Sequence, residues 1–222
     1  MRFADTGTSA TPLELLQSIE RAAPQAHIRV FYGSTEAGSV ASLDHADIRA
    51  KPGSCGVPAP GVETRLADDG ELWVRGPLLF DGYFGDADAS ADALVDGWYR
   101  TGDLAEVDDE GYLTIVGRAR DVIRTGGETV SPTEVEAVVA RHPAVADVAV
   151  VGVPDPVWGE VVCAVVVAAA GAVPPSLEDV RAHCDGSLAP YKCPRRLEIV
   201  AGIPRTASTH QVQRRLLAQR FA

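Results

Sequence analysis

The chain has 222 residues, 46% hydrophobic and 23% charged, a composition that suits one large or two modest globular domains. Its formal net charge of −11 argues against a general nucleic-acid binder, which needs a basic surface, and against electrostatic docking on anionic membranes. A small anionic ligand stays compatible with that charge, because backbone amides hold phosphate even on an acidic protein.

The opening segment MRFADTGTSATPLELL has no apolar signal core, and the longest apolar run, Val161 to Ala170, is too short to span a bilayer. Thr11 or Ser9 is placed to cap a helix with Pro12 in its first turn; the amphipathic LELLQSIERAA (13–23) follows, and Pro24 ends it. IRVFY (28–32) reads as a buried strand, after which Gly33 turns the chain. From 50 to 116 the text is dense in Gly, Pro and Asp. The short apolar pieces VETRLA (62–67), ELWVRG (71–76) and YLTIVG (112–117) there predict a small antiparallel or barrel-like sheet.

The pattern changes after Gly117. DVIRT (121–125) reads as a strand, GGETVSP as a loop, and PTEVEAVVARH (132–142) as a helix capped by Ser131. VADVAVVGV (145–153) and EVVCAVVVAA (160–169) read as strands, SLEDVRAHCDGSL (176–188) as a helix, RLEIV (196–200) as a strand and QVQRRLLAQRF (211–221) as a terminal helix. The expected class is α+β: an antiparallel β subdomain over 1–116, then a compact α+β domain over 117–222, with the boundary at 116–120. Cys55, Cys163, Cys184 and Cys193 form no CxxC pair, the pattern of reduced thiols in a cytoplasmic protein.

Four segments carry candidate chemistry. Tyr32-Gly33-Ser34-Thr35-Glu36 places hydroxyls and a carboxylate at a strand end, which suits a phosphate and its magnesium ion but equally a plain polar loop. In Trp98-Tyr99-Arg100-Thr101-Gly102-Asp103, an Asp after a glycine turn accepts from two vicinal ribose hydroxyls, or else caps its own turn. Arg118, in Gly117-Arg118-Ala119-Arg120-Asp121, suits a ribose, a phosphate or a surface carboxylate, and the Gly126-Gly127 pair suits a hairpin. The fourth, PRTASTHQVQRR (204–215), reads as an exposed loop entering a basic helix.

In order and spacing, YGSTE, WYRTGD, GRARDVIRTGGETVSPTEVE, LAPYKCP and PRTAS…VQRR closely resemble the adenylate-forming superfamily, in particular the acyl-CoA synthetases (AMP-forming carboxylate–CoA ligases). The resemblance runs from about Thr11 to Leu217 and is nearest the fatty-acyl or aryl CoA ligases. It implies that residues 1–116 are the tail of a large AMP-binding domain and 117–222 a complete small mobile domain. It implies ATP or AMP, Mg2+ and coenzyme A as ligands, and a small-molecule carboxylate or acyl-adenylate as substrate. The acceptor is coenzyme A or a carrier-protein thiol, with neither nucleic acid nor membrane as partner. In this family a carboxylate attacks ATP to give an acyl-adenylate, a thiol then displaces AMP, and the small domain rotates between the steps.

Carried over, Tyr32 lies along the adenine with Gly33 beside it, Thr35 bonds phosphate, and Glu36 ligates magnesium. Asp103 holds the ribose hydroxyls with Arg118 beside it, Arg120 is the hinge, and Gly126 and Gly127 approach the pantetheine.

Two departures accompany the resemblance. The family's Ser/Thr/Gly-rich phosphate loop is expected upstream of YGSTE, and the 31 residues before Tyr32 contain none. A complementing N-terminal synthetase subunit is then the expected source. The terminal motif usually reads PRTASGKVQRR, whereas Thr-His-Gln replaces Gly-Lys here with one extra residue. That lysine bridges the carboxylate and the α-phosphate, a preorganised charge worth a few kcal/mol. His210, with an ordinary pKa near ~6.5, is a weak substitute. The functional expectation is a synthetase-like chain impaired in ATP-dependent adenylation that retains acyl transfer from adenylate to CoA. The alternative is a non-catalytic remnant or a regulatory nucleotide- or partner-binding module.

Overall fold

The computed structural model describes residues 2–7, 11–207 and 210–221. Its first sheet has the order β1 (Phe3–Thr6), β2 (His27–Ser34), β3 (Gly38–Leu43), β4 (Val57–Pro58), with β1 parallel to β2 and the other pairs antiparallel. Helix α1 (Leu13–Ala22) makes the crossover from β1 to β2 and buries Leu16 in a cluster with Ile28, Val30, Leu43 and Ile48. The expected Thr11 cap does not form. Pro12 occupies the N-cap without a side-chain bond, and the Thr11 hydroxyl meets that of Thr6 at 3.0 Å. Ser9, the other expected cap, lies outside the described residues.

Gly33 does not turn the chain. β2 runs on to Ser34 through a bulge between Tyr32 and Gly33, and the turn falls at 35–37. The glycine serves a close approach instead: a Cβ on Gly33 would lie 2.0 Å from the Gly38 carbonyl oxygen across the hairpin.

A second sheet has the order β5 (Glu63–Leu66), β6 (Glu71–Arg75), β8 (Trp98–Val107), β7 (Leu94–Val95), with β9 (Leu113–Arg118) also on β8. A short helix, α2 (Ala87–Ala93), is capped by the Asp86 side chain and leads into β7. Leu72, Val74, Tyr99, Ala105 and Leu113 of this sheet share one core with Val40 and Ala41 of the first.

Contacts divide the chain into two compact units, Met1–Val116 and Gly117–Ala222. In the second, β11 (Glu128–Val130), β10 (Ile123–Thr125), β13 (Gly159–Ala168) and β12 (Val145–Asp155) lie in that order, and β14 (Arg196–Ile199) runs parallel to β13. GGETVSP, expected as a loop, supplies the turn and second strand of the β10–β11 hairpin. The unbroken apolar text of β13 reflects burial on both faces. Val162, Ala164 and Val166 enter the core that includes α3 (Pro132–Val139) and α4 (Leu177–Cys184) residues. Val161, Cys163 and Val165 face the opposite core with Leu217 of α5 (Arg214–Phe221).

Ser176 caps α4 through a reciprocal capping box with Asp179. Ser131 stands at the N-cap of α3 without a capping bond, and its hydroxyl meets Thr133 at 2.9 Å. All four cysteines are free and buried, and no helix among the described residues is long and apolar enough to cross a membrane.

Candidate functional site

The site in the first unit is built on a distortion of β8. Trp73 pairs with Arg100 and Glu71 with Leu104, so Thr101, Gly102 and Asp103 together face Leu72 alone. WYRTGD is therefore a strand carrying a bulge, not the glycine turn expected from sequence. Gly102 takes φ +70, the left-handed region that glycine enters without a Cβ penalty. The lost ladder bonds are replaced locally: Thr101 Oγ1 donates to the Leu72 carbonyl at 2.7 Å, and the Asp103 N–H donates to Thr101 Oγ1 at 3.0 Å.

The bulge aims Asp103, 9% exposed, at Tyr32, whose hydroxyl donates to Asp103 Oδ2 at 2.8 Å. Burial, with the Asp103 charge adding, holds the Tyr32 phenol well above its ordinary ionisation range. The sign follows: above pH ~10 an unfolded tyrosine loses its proton while the folded one keeps it, so stability falls as pH rises. The slope from Tyr32 is expected to approach about 1.4 kcal/mol per pH unit once the unfolded phenol is fully ionised. Denaturant titrations should find about 1.4 kcal/mol less stability lost between pH 9 and 11 in Tyr32→Phe.

Thr35 is exposed in the 35–37 turn, and Ser34 Oγ accepts the Ala37 N–H at 3.1 Å. Glu36 Oε1 accepts the Tyr83 hydroxyl at 3.0 Å. Phe80 packs edge-on to Tyr83 and Tyr99, with ring centroids 4.9 and 5.7 Å away. The Tyr99 phenol is pushed up to about 12 by burial, with the Glu36 charge adding. Tyr32 and Asp103 thus meet directly, while Glu36 is held by an aromatic group in the same unit.

The remaining predicted residues lie in the second unit, which begins at Gly117. Arg118 closes β9. Arg120 projects from a single 3-10 turn, Ala119–Asp121, 74% exposed and 3.8 Å from Asp121. Gly126 and Gly127 form the β10–β11 turn with φ +60 and +87. The turn alone accounts for Gly127; Gly126 also touches the Trp158 ring, where a Cβ would come within 2.6 Å. His210 is exposed, with φ +54. Its N–H donates to the Thr206 carbonyl at 3.0 Å, and its carbonyl accepts Arg205 Nη1 at 3.0 Å. Ser208 and Thr209 lie outside the described residues.

Sequence reasoning missed Glu71. Only 4% exposed, it accepts the Gly102 N–H on Oε1 at 3.0 Å; on Oε2 it accepts Arg100 Nε and Nη2 and the Trp73 indole, each at 3.1 Å. The available signal was Glu71 alternating with Trp73 and Arg75 on one strand, but its partner Arg100 lies 29 residues away.

A buried carboxylate on a glycine bulge, already accepting from a strand-end tyrosine, keeps acceptor capacity for a pair of neighbouring hydroxyls. The family model described as AMP-binding enzyme matches residues 1–84, and that described as AMP-binding enzyme C-terminal domain matches residues 134–209. The chain belongs to this adenylate-forming family and matches the C-terminal region of its members. It is 39% identical over 219 residues to the indoleacetate–CoA ligase of Aromatoleum aromaticum, covering 93% of the chain and 42% of that enzyme. It is 40% identical over 192 residues to the 2-succinylbenzoate–CoA ligase of Listeria innocua, covering 86% of the chain and 40% of the ligase. The solved structure of Bacillus subtilis o-succinylbenzoate CoA synthetase with its acyl-adenylate intermediate matches with a TM-score of 0.87 at 32% identity, over 98% of this chain and 46% of that one. The chain spans less than half the length of these relatives.

Proposed function

We propose that this chain serves as the nucleotide-gripping and thiol-facing part of an AMP-forming carboxylate–CoA ligase, weak in forming the acyl-adenylate and competent in passing its acyl group to a thiol. The supporting observation is an asymmetry. The Asp103 bulge and the Gly126–Gly127 hairpin are fully built, whereas the Pro204–Arg214 loop contains no lysine.

The loop closes on the Arg205–Val212 bridge, with the Thr206 N–H donating to the Gln211 carbonyl at 2.9 Å. Counted back from Val212, the usual Gly-Lys pair falls on His210 and Gln211. The left-handed backbone of His210 is the conformation a glycine takes. Gln211, rather than His210, therefore holds the lysine register, and Gln211 is exposed and uncharged.

In this reading Asp103 accepts the two ribose hydroxyls, and the Tyr32 hydroxyl holds the carboxylate in aim while its ring lies along the adenine. Arg118 adds a donor to the ribose, and the exposed Thr35 hydroxyl donates to phosphate. Among the described residues no group of three metal-ligating side chains gathers. Glu36 would instead hold magnesium jointly with substrate phosphates and water, an arrangement that suits this ion. When bound, magnesium neutralises phosphate charge. Arg120, solvated in its turn, absorbs the backbone rotation between the two steps. In the second step a thiol sulfur attacks the acyl carbonyl carbon, the bond from that carbon to the phosphate oxygen breaks, and AMP leaves.

Calorimetry with AMP tests the nucleotide site. Micromolar binding is expected, and Asp103→Ala should weaken it at least about tenfold, the value of hydrogen bonds to a charged acceptor. Binding untouched by Asp103→Ala would remove the ribose assignment. Binding by a chain that turns over neither half-reaction would favour the regulatory module.

A further inference from the structure

Asp103 can grip a ribose only if the bulge holds its backbone in one place, and a three-residue bulge is not self-supporting. Two groups replace the missing ladder bonds. Thr101 folds its hydroxyl back onto the Leu72 carbonyl and accepts the Asp103 N–H. Glu71 reaches across from β6 and accepts the Gly102 N–H, the amide immediately before Asp103. A carboxylate held at 4% exposure needs compensation. Here it receives three further donors on its other oxygen, two from Arg100 and one from the Trp73 indole. Arg100 belongs to β8 itself, so one carboxylate ties the residue before the bulge and the amide inside it to β6. Thr101 bonds within its own segment and to the Leu72 carbonyl, whereas Glu71 alone supplies a charged acceptor from the neighbouring strand.

We propose that Glu71 is the positioning residue of the nucleotide site: by pinning the Gly102 amide from the neighbouring strand, it sets the place of the Asp103 carboxylate and thereby the preference for a ribose carrying both hydroxyls. The proposal rests on the reading of Asp103 as the ribose carboxylate. Glu71 touches no ligand itself. Its neighbours on β6 keep the strand in place without it, through the Leu72 and Val74 side chains in the core.

The experiment compares AMP with 2′,3′-dideoxy-AMP by calorimetry in the full chain and in Glu71→Gln and Glu71→Asp, with thermal melts as the folding control. The unsubstituted chain should prefer AMP roughly tenfold or more, the value of a charge-assisted hydrogen bond to the ribose. Both variants should bring that ratio toward one while leaving dideoxy-AMP affinity within about twofold. Glu71→Asp keeps the charge that Arg100 needs and withdraws the acceptor from Gly102, so it should fold even where Glu71→Gln does not.

A second readout needs no nucleotide. The Tyr32 phenol, followed by tyrosine-selective NMR, should ionise at lower pH in either variant, because Asp103 no longer sits beside it. Variants that lower affinity for both ligands equally, or that leave the ratio intact, overturn the positioning role while the ribose assignment stands. An unsubstituted chain without preference between the ligands overturns the ribose assignment and this proposal with it. Unaltered Tyr32 ionisation in the variants separately contradicts the claim that Glu71 places Asp103.

Discussion

Replacing Gln211 with lysine is expected to raise acyl-adenylate formation about a hundredfold, read as pyrophosphate release from ATP and carboxylate. The gain comes from one preorganised cation aimed at charge that moves as the carboxylate attacks. Two features of the described residues around Gln211 suit the substitution. Thr206 brackets Gln211 by its N–H and its hydroxyl at 2.9 and 3.1 Å, and His210 already takes the left-handed conformation before it. The same substitution should leave transfer from a presynthesised adenylate to CoA within about twofold, since the proposed function gives that step to the hairpin at Gly126–Gly127. A lysine placed at His210 instead should give no comparable gain. A rise with His210→Lys and none with Gln211→Lys would move the register by one and return His210 to the site.

Glu136→Ala is expected to cost about 3–5 kcal/mol of stability, measured by denaturant titration. Glu136 Oε2 pairs with Arg214 Nη2 at 2.9 Å, Oε1 accepts the Val150 N–H at 2.8 Å, and the two side chains are 17% and 15% exposed. Burial raises the Glu136 carboxyl above its ordinary range, with the Arg214 charge opposing. Removing the carboxylate leaves a buried guanidinium and a strand amide without an acceptor, and both costs fall on the folded state. Asp121 lies 3.7 Å from Arg214 Nε, too far to hydrogen-bond it in compensation. A joint Glu136→Leu, Arg214→Met replacement should recover most of the loss, because it removes the desolvation cost along with the pair.

Much of the second unit was legible because its periodicities are strong. β12 and β13 stand out as strands dominated by apolar runs, since both of their faces are covered, and the capping box of α4 is written as Ser176 and Asp179. The first unit was harder to read. β1, β4 and β7 have four residues or fewer, and β8 carries a glycine at positive φ that in sequence looks like a turn. Gly33 misled in the same way, because close approach and turning both demand glycine and only the fold separates them.

At the site, Tyr32 and Asp103 were each legible as polar residues in marked segments, but their meeting across 71 residues belongs to the fold. The family resemblance, not periodicity, assigned both to one nucleotide. Glu71 escaped notice because its role depends on an amide and a guanidinium that only the β6–β8 pairing brings near.

The most direct test of the central claim compares the two half-reactions. Presynthesised acyl-adenylate with coenzyme A, and ATP with the same carboxylate, are each followed with and without a partner chain supplying the upstream half of a synthetase. The asymmetry in the site predicts thioester from the adenylate at a rate at least about a hundredfold above adenylate formation from ATP. No thioester in either arrangement, or adenylate formation as fast as thioester formation, would contradict it.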